Sequence, residues 1–194
     1  LVTESQTKNI LFFIQILFGA KLEAIILVGG LGTRMKSVNS DLPKSILEIQ
    51  GNPFLVWLIR LLEKNNVKKI ILCLGIKSEL IIECIDRYDF TNIEIVFSVE
   101  KEPLGTGGAL IHALNHINND NFVFMNGDTM FDIPIKQLYS THKNKNNDLT
   151  YSLSELETQH TEYGGLSLDK NGKVTEHVIE KSNSGNQIID AGLR

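Results

Sequence analysis

The chain has 194 residues, 42% hydrophobic and 22% charged, with a net charge of −4 at pH 7. That is the balance of one ordinary globular domain and excludes disorder over most of its length. Acidic and basic residues are mixed along it, so there is no basic stripe of the kind nucleic acid requires, and an anionic ligand must be met by a local site.

Residues 1–21 read as an N-terminal extension to which no function is assigned. The stretch "ILFFIQILFGA" (10–20) is apolar, but about half the length of a membrane-spanning helix. The preceding "LVTESQTKN" lacks the basic character of a secretory leader. The start at Leu rather than Met suits the tail of a preceding domain or a shifted start.

Residues 22–194 read as one continuous domain. Short β-branched runs alternate with amphipathic stretches, the pattern of a parallel sheet covered by helices. Strands are expected at 23–28, 68–75, 93–99 and 121–126. Between the first two, Asn52 is expected as a helix N-cap and Pro53 as the first helical residue. Phe54, Leu55, Leu58, Leu61 and Leu62 then share a buried face, with Trp57 as a packing aromatic.

A second helix is expected to begin after residues 77–79. A third is expected after Thr106, with Ala109, Leu110, Ala113, Leu114 and Ile117 at helical spacing. Cys73 and Cys84 have neither CxxC spacing nor a Cys/His cluster; they read as small buried hydrophobes and fit a reducing cytoplasm. Beyond residue 128 a polar helix-like stretch precedes strands and hairpins at 148–156, 164–181 and 186–193. Asn171-Gly172 is the expected type I′ turn pair.

Three loops carry chemistry. After the first strand comes "VGGLGTRMKSVNSDLPK" (28–44), in which Gly29, Gly30 and Gly32 let backbone N–H groups approach an anion and Arg34 and Lys44 add mobile positive charge. Met35 stands where a dinucleotide fingerprint needs its third glycine, no acidic residue sits at a strand end about twenty positions on, and the Walker lysine is missing. A triphosphate suits the two cations better.

The second loop, "EKEPLGTGGA" (100–109), would let a base lie against Gly105, Gly107 and Gly108. Glu100 or Glu102 could accept from ring N–H donors. In the third, Asp128 follows a strand and Asn126-Gly127, at the sheet edge where ligands bind in open α/β folds. It is a natural Mg²⁺ anchor. The plain alternatives are a tight turn with solvated cations, a helix entry without ligand and a turn-forming Asp. The five histidines are scattered and read as surface or structural.

In that order "GGLGTR…DLPK", "EPLGTGGA", "NGD", "YGG" and "EK" resemble the sugar-1-phosphate nucleotidyltransferases, over roughly residues 22–192. "EPLGTGGA" with "NGDTMFDI" is most similar to the heptose 1-phosphate guanylyltransferases, with the mannose-1-phosphate guanylyltransferases close behind. The resemblance implies a Rossmann-like three-layer α/β fold of the nucleotide-diphospho-sugar transferase type, with a mainly parallel mixed sheet. It also implies transfer of a nucleoside monophosphate from a triphosphate, GTP favoured, to a sugar 1-phosphate, in the cytoplasm and for cell-surface polysaccharide precursors.

Carried onto this sequence, the resemblance assigns Gly29, Gly30, Gly32 and Thr33 to the nucleotide, Arg34 to the departing phosphates, and Lys44 to the α-phosphate and the sugar phosphate. Arg34 and Lys44 are its catalytic pair. Glu100 and Gly105 meet the base, and Asp128 the Mg²⁺. Gly127, Gly164, Glu180, Lys181 and Asp190 meet the sugar phosphate.

Two departures stand out: Ser182 follows Glu180-Lys181 where the family writes Pro, and Asp190 stands where it writes Asn, losing a donor. The family's second metal carboxylate lies beyond Asp190, which leads to the expectation of a C-terminal truncation. A non-catalytic nucleotide-sugar-binding relative and a uridylyl- or thymidylyltransferase are the rival readings. A homo-oligomer is compatible with all of them.

Overall fold

The protein was analysed as a computed structural model, which describes residues 21–29, 42–155, 165–178 and 188–190. In chain order its strands begin with β1 (Leu22–Leu27), two-residue β2 (Glu48–Ile49) and β3 (Asn52–Pro53), then β4 (Val67–Leu74), β5 (Glu94–Val99) and β6 (Val123–Asn126). Four of them build one sheet in the order β5-β4-β1-β6. Every pairing in it is parallel, with Ile25 opposite both Ile71 and Phe124. A parallel sheet is covered on both faces, so Ala24–Leu27 of β1 and Ile70–Leu74 of β4 are continuous apolar runs rather than alternating ones.

The helices are α1 (Phe54–Lys64), α2 (Ser78–Asp86), α3 (Gly105–Leu114) and α4 (Ile135–Lys145). Ala24 and Ile26 of β1 join Leu55, Leu58, Ile59 and Leu62 of α1, Ile81 and Ile85 of α2, and Ile135 of α4 in one core. On the other face Ile25, Ile71 and Phe124 meet Ala109 and Ala113 of α3. The result is three layers, with α1, α2 and α4 on one side of the sheet and α3 on the other, as the βαβ reading of the sequence expects. No helix among the described residues is long and apolar enough to cross a membrane.

Antiparallel strands form a separate sheet. It consists of β7 (Leu153–Glu155), β8 (Gly165–Leu168), β9 (Val174–Val178) and β10 (Ile188–Asp190), in the order β7-β10-β8-β9. The described strands thus form a parallel sheet, this antiparallel sheet and the two-stranded antiparallel β2-β3 pair.

Four local expectations change. Asn52 and Pro53 are not helical: they pair with Glu48 and Ile49, and Pro53 caps α1 in an extended conformation. The type I′ turn falls at Gln50-Gly51, where both φ angles are positive, at 52° and 77°. Trp57 packs less as a core aromatic than as a clip, its indole Nε1 donating to the Ile49 carbonyl at 2.9 Å. At residues 171–172 only Gly172 has positive φ, because Asp169 builds the turn instead. Its Oδ1 accepts from the N–H groups of Asn171 (2.8 Å) and Lys173 (2.9 Å). The Lys173 and Asn171 donors also hold the Asp169 carboxyl below its ordinary range.

Leu114 is another departure, 41% exposed rather than in the α3 core face. The helical register that buries Ala109 and Ala113 turns it outward. Two of the histidines are structural: His112 Nδ1 meets Ser98 Oγ at 2.9 Å, and His142 bridges Thr150 and Asn121.

One buried charge ties the sheet to the segment before β6. Glu23, 3% exposed in β1, accepts from the N–H groups of Asn118 and Asn119, each at 2.9 Å, and from Asn118 Nδ2 at 3.0 Å. Burial alone would raise its carboxyl pKa; these donors outweigh that and hold it below the usual value of 4.5. Glu23→Ala removes the acceptor of two part-buried N–H groups and should cost about 1–2 kcal/mol by urea unfolding near neutral pH. Because the folded carboxyl titrates lower than the unfolded one, its contribution is full above the unfolded value of 4.5 and disappears as pH falls through the folded pKa. The gap between wild type and variant should therefore narrow in acid.

Candidate functional site

Parallel strands end on one side, and here all four end in glycine or carboxylate. β1 runs through Val28 to Gly29, β4 to Gly75, β5 to Glu100, and β6 to Gly127-Asp128. The hydrogen-bond ladder continues one residue past each strand: Val28 N–H to the Cys73 carbonyl (3.0 Å), Glu100 N–H to Leu74 (2.8 Å) and Gly127 N–H to Leu27 (2.7 Å). Beyond it opens a cleft of about 840 Å³. The chain leaves β1 toward β4 but crosses from β5 to β6 on the other side, so the strand order reverses between β1 and β6. An open α/β sheet binds its ligand at such a switch point.

Glycine is required at this edge for packing reasons. A Cβ on Gly29 would stand 2.8 Å from the Gly75 nitrogen, and one on Gly127 would stand 2.7 Å from the Leu27 carbonyl oxygen. Three strand ends can converge only because these side chains are absent.

Lys44 enters the cleft from a 3-10 turn, Lys44–Ile46, that follows extended Pro43. Ile46 N–H bonds to the Pro43 carbonyl and Leu47 N–H to that of Lys44, both at 3.1 Å, while Ile46 is buried in the core. The ammonium group thus rides on a segment anchored one residue away.

On the opposite wall Gly105 opens α3 at φ +70°, a conformation that favours glycine. Glu100 Oε2 accepts the Leu104 N–H at 2.9 Å. One carboxylate oxygen is therefore committed to shaping the loop. Cys73 lies beneath this wall, where burial and then the Glu100 charge push its thiol up to about 12. It stays a neutral thiol at ordinary pH, as its reading as a small hydrophobe expects. Asp128 is exposed at the cleft, with Thr129 Oγ1 3.3 Å from its Oδ1.

Gly29, Lys44, Glu100, Gly105, Gly127 and Asp128, scattered over a hundred residues of sequence, thus line one cleft. Asp190 closes β10, opposite Leu153 of β7. Gly30, Gly32, Thr33, Arg34, Gly164, Glu180 and Lys181 lie outside the described residues.

The sequence reading missed the wall made by Gly75, Ile76, Lys77 and Ser78 at the end of β4, and it missed Ser45. The signal was present: a glycine directly after a predicted parallel strand belongs at the same edge as the other strand ends. Among the described residues no group of three or more His, Cys, Asp or Glu side chains is placed to hold a metal. A lone exposed carboxylate suits a hard cation that takes most of its oxygens from phosphate and water.

Gly127→Ala should therefore lower stability by about 1–3 kcal/mol through forced repacking. Gly107→Ala, a helical position with nothing within 4 Å of the added Cβ, should raise it, by about 0.5–1 kcal/mol. Thermal melting of the two variants checks the pair.

Residues 23–193 match the model of the nucleotidyl transferase family. The D-glycero-alpha-D-manno-heptose 1-phosphate guanylyltransferase of Campylobacter jejuni is 39% identical over 89% of this chain and 74% of its own length. The enzyme of the same name from Aneurinibacillus thermoaerophilus is 41% identical over 70% of this chain and 58% of its own. The chain thus spans about three quarters of the first and less than two thirds of the second. The crystal structure of HddC from Yersinia pseudotuberculosis complexed with GMP-PN superposes with a TM-score of 0.73 at 36% identity, covering 89% of this chain and 75% of that one. With the family model spanning nearly the whole described fold and its cleft, the chain belongs to the nucleotidyl transferase family.

Proposed function

We propose that the cleft transfers GMP from GTP to a sugar 1-phosphate, a heptose 1-phosphate foremost, giving a GDP-sugar and pyrophosphate. The observation that carries this reading is the convergence of Gly29, Lys44, the Gly105 helix entry and Asp128 on one cleft at the switch point. Relatives named as heptose 1-phosphate guanylyltransferases, and a related structure holding GMP-PN, support the base and the sugar.

In this reading an oxygen of the sugar 1-phosphate attacks the α-phosphorus in line, the α–β bridging bond breaks, and pyrophosphate leaves with its electron pair. The nucleophile is already an anion, so no enzyme-bound intermediate is required. Catalysis consists of aligning two mutually repelling anions and neutralising the leaving group. Lys44 lies between the α-phosphate and the sugar phosphate and offsets their repulsion. Arg34 takes the departing phosphates, with the Gly29, Gly30, Gly32 and Thr33 backbone around them.

Glu100 and Gly105 hold the guanine edge, Glu100 through the acceptor capacity its loop bond leaves. Gly127, Gly164, Glu180, Lys181 and Asp190 receive the sugar phosphate. Asp128 would hold Mg²⁺, which supplies charge neutralisation at the phosphates when bound. The reaction belongs in the cytoplasm, where nucleoside triphosphates are made.

The test is pyrophosphate release with Mg²⁺, offering GTP, UTP, dTTP, CTP and ATP against heptose, mannose and glucose 1-phosphates. Turnover with GTP and the heptose phosphate is expected. Turnover with UTP or dTTP alone would overturn the base, and nucleotide binding without turnover by any pair would favour a non-catalytic binder. Lys44→Ala and Asp128→Asn should each lower kcat about 10²–10³-fold at an unchanged melting temperature. Wild-type rates in either would remove that residue from the mechanism.

A further inference from the structure

The cleft wall contains one buried polar atom that the fold leaves without a partner. Ser45 is 4% exposed, and its Oγ accepts and donates no hydrogen bond among the described residues; no other buried side-chain oxygen or nitrogen there is in that position. A buried, unpaired hydroxyl forfeits about 1–3 kcal/mol of hydrogen bonding. Elsewhere the same fold meets this need: Ser98, 2% exposed, pairs with His112 at 2.9 Å.

Ser45 is fixed where it is from both sides. Lys44 precedes it on the cleft wall, Ile46 follows it in the core, and the Pro43 and Lys44 carbonyls close the 3-10 turn around it. Ser45 is itself a wall residue of the cleft. Ser45 and Lys44 stand on one turn of the same cleft wall, so a hydroxyl that turns about one bond and a cation are offered from one segment, an arrangement that fits an oxyanion. An unmet polar group that local rules disfavour, placed at a ligand site, is the signature of a group awaiting its partner.

We propose that Ser45 is a phosphate-binding residue of this cleft, its hydroxyl donating to a non-bridging oxygen of the phosphate that Lys44 neutralises. The inference rests on the reading of the cleft as a nucleotide and sugar-phosphate site, and adds to it a residue outside the glycine loops. The phosphate is the α-phosphate of the nucleotide or the 1-phosphate of the sugar. The two share their chemistry, and separate titrations distinguish them.

The experiment measures Kd for GTP and for mannose 1-phosphate, each alone by calorimetry, on wild type, Ser45→Ala and Ser45→Thr, with melting temperatures in the absence of ligand. Ser45→Ala should melt at or above the wild-type temperature, because it removes an unmet hydroxyl, yet bind one of the two ligands about 10-fold or more weakly. The ligand affected names the phosphate. Ser45→Thr, which keeps the hydroxyl, should recover binding in part.

Equal Kd values for both ligands in wild type and Ser45→Ala would overturn the inference while leaving the cleft's function intact. If wild type binds neither ligand, the reading of the cleft itself fails. Should Ser45→Ala melt well below wild type, the hydroxyl already has a structural partner and the proposal fails. Ser45→Cys, near in size with a weak donor, then separates lost volume from a lost hydrogen bond.

Discussion

Everything in this fold depends on β1 being paired on both edges and covered on both faces. Ala24, Ile25 and Ile26 are fully buried, hydrogen-bonded in register to β4 on one side and to β6 on the other. A strand so enclosed can hold charge only where the charge is matched. Its one carboxylate, Glu23, is met by three donors from Asn118 and Asn119. That bond network fixes where the chain re-enters the sheet as β6, and hence how Asp128 stands relative to Gly29 at the other end.

The same constraint makes the site. Parallel strands with α-helical returns deliver all their C-terminal ends to one edge, and a reversal of strand order next to β1 opens that edge into a crevice. Glycines at 29, 75 and 127 let three backbones converge where side chains would collide. The glycines serve packing first, and the backbone they expose is a consequence that an anionic ligand can use. Lys44, Glu100 and Asp128 then bring opposite charges to different walls of a single cleft, which suits a ligand that is anionic at one end and offers N–H donors at the other.

Glu100 and Ser45 differ in how the fold uses their side chains at this edge. Glu100 gives one oxygen to the Leu104 N–H, so the loop that opens α3 is shaped by the fold itself. Ser45 does the reverse: among the described residues its buried hydroxyl has no hydrogen-bond partner.

By itself the sequence determined the class of fold. Runs such as "EAIIL" and "KKIILCLG" can be satisfied only in a sheet buried on both faces, and glycines directly after them mark its ligand edge. It also carried the order of motifs that identifies the family. What the tertiary structure decided were matters of partnership. Pro53 became a cap because Asn52 and Pro53 pair with Glu48 and Ile49. Asp169 took over the turn expected of Asn171-Gly172, because a side-chain acceptor for two backbone donors outweighs a local turn preference. The Gly75 to Ser78 wall joined the cleft because β4 lies next to β1, and the burial of Ser45 without a partner among the described residues is likewise a matter of packing. Local spacing encodes period and turn chemistry, whereas which groups meet across a hundred residues is set by how strands and helices pack.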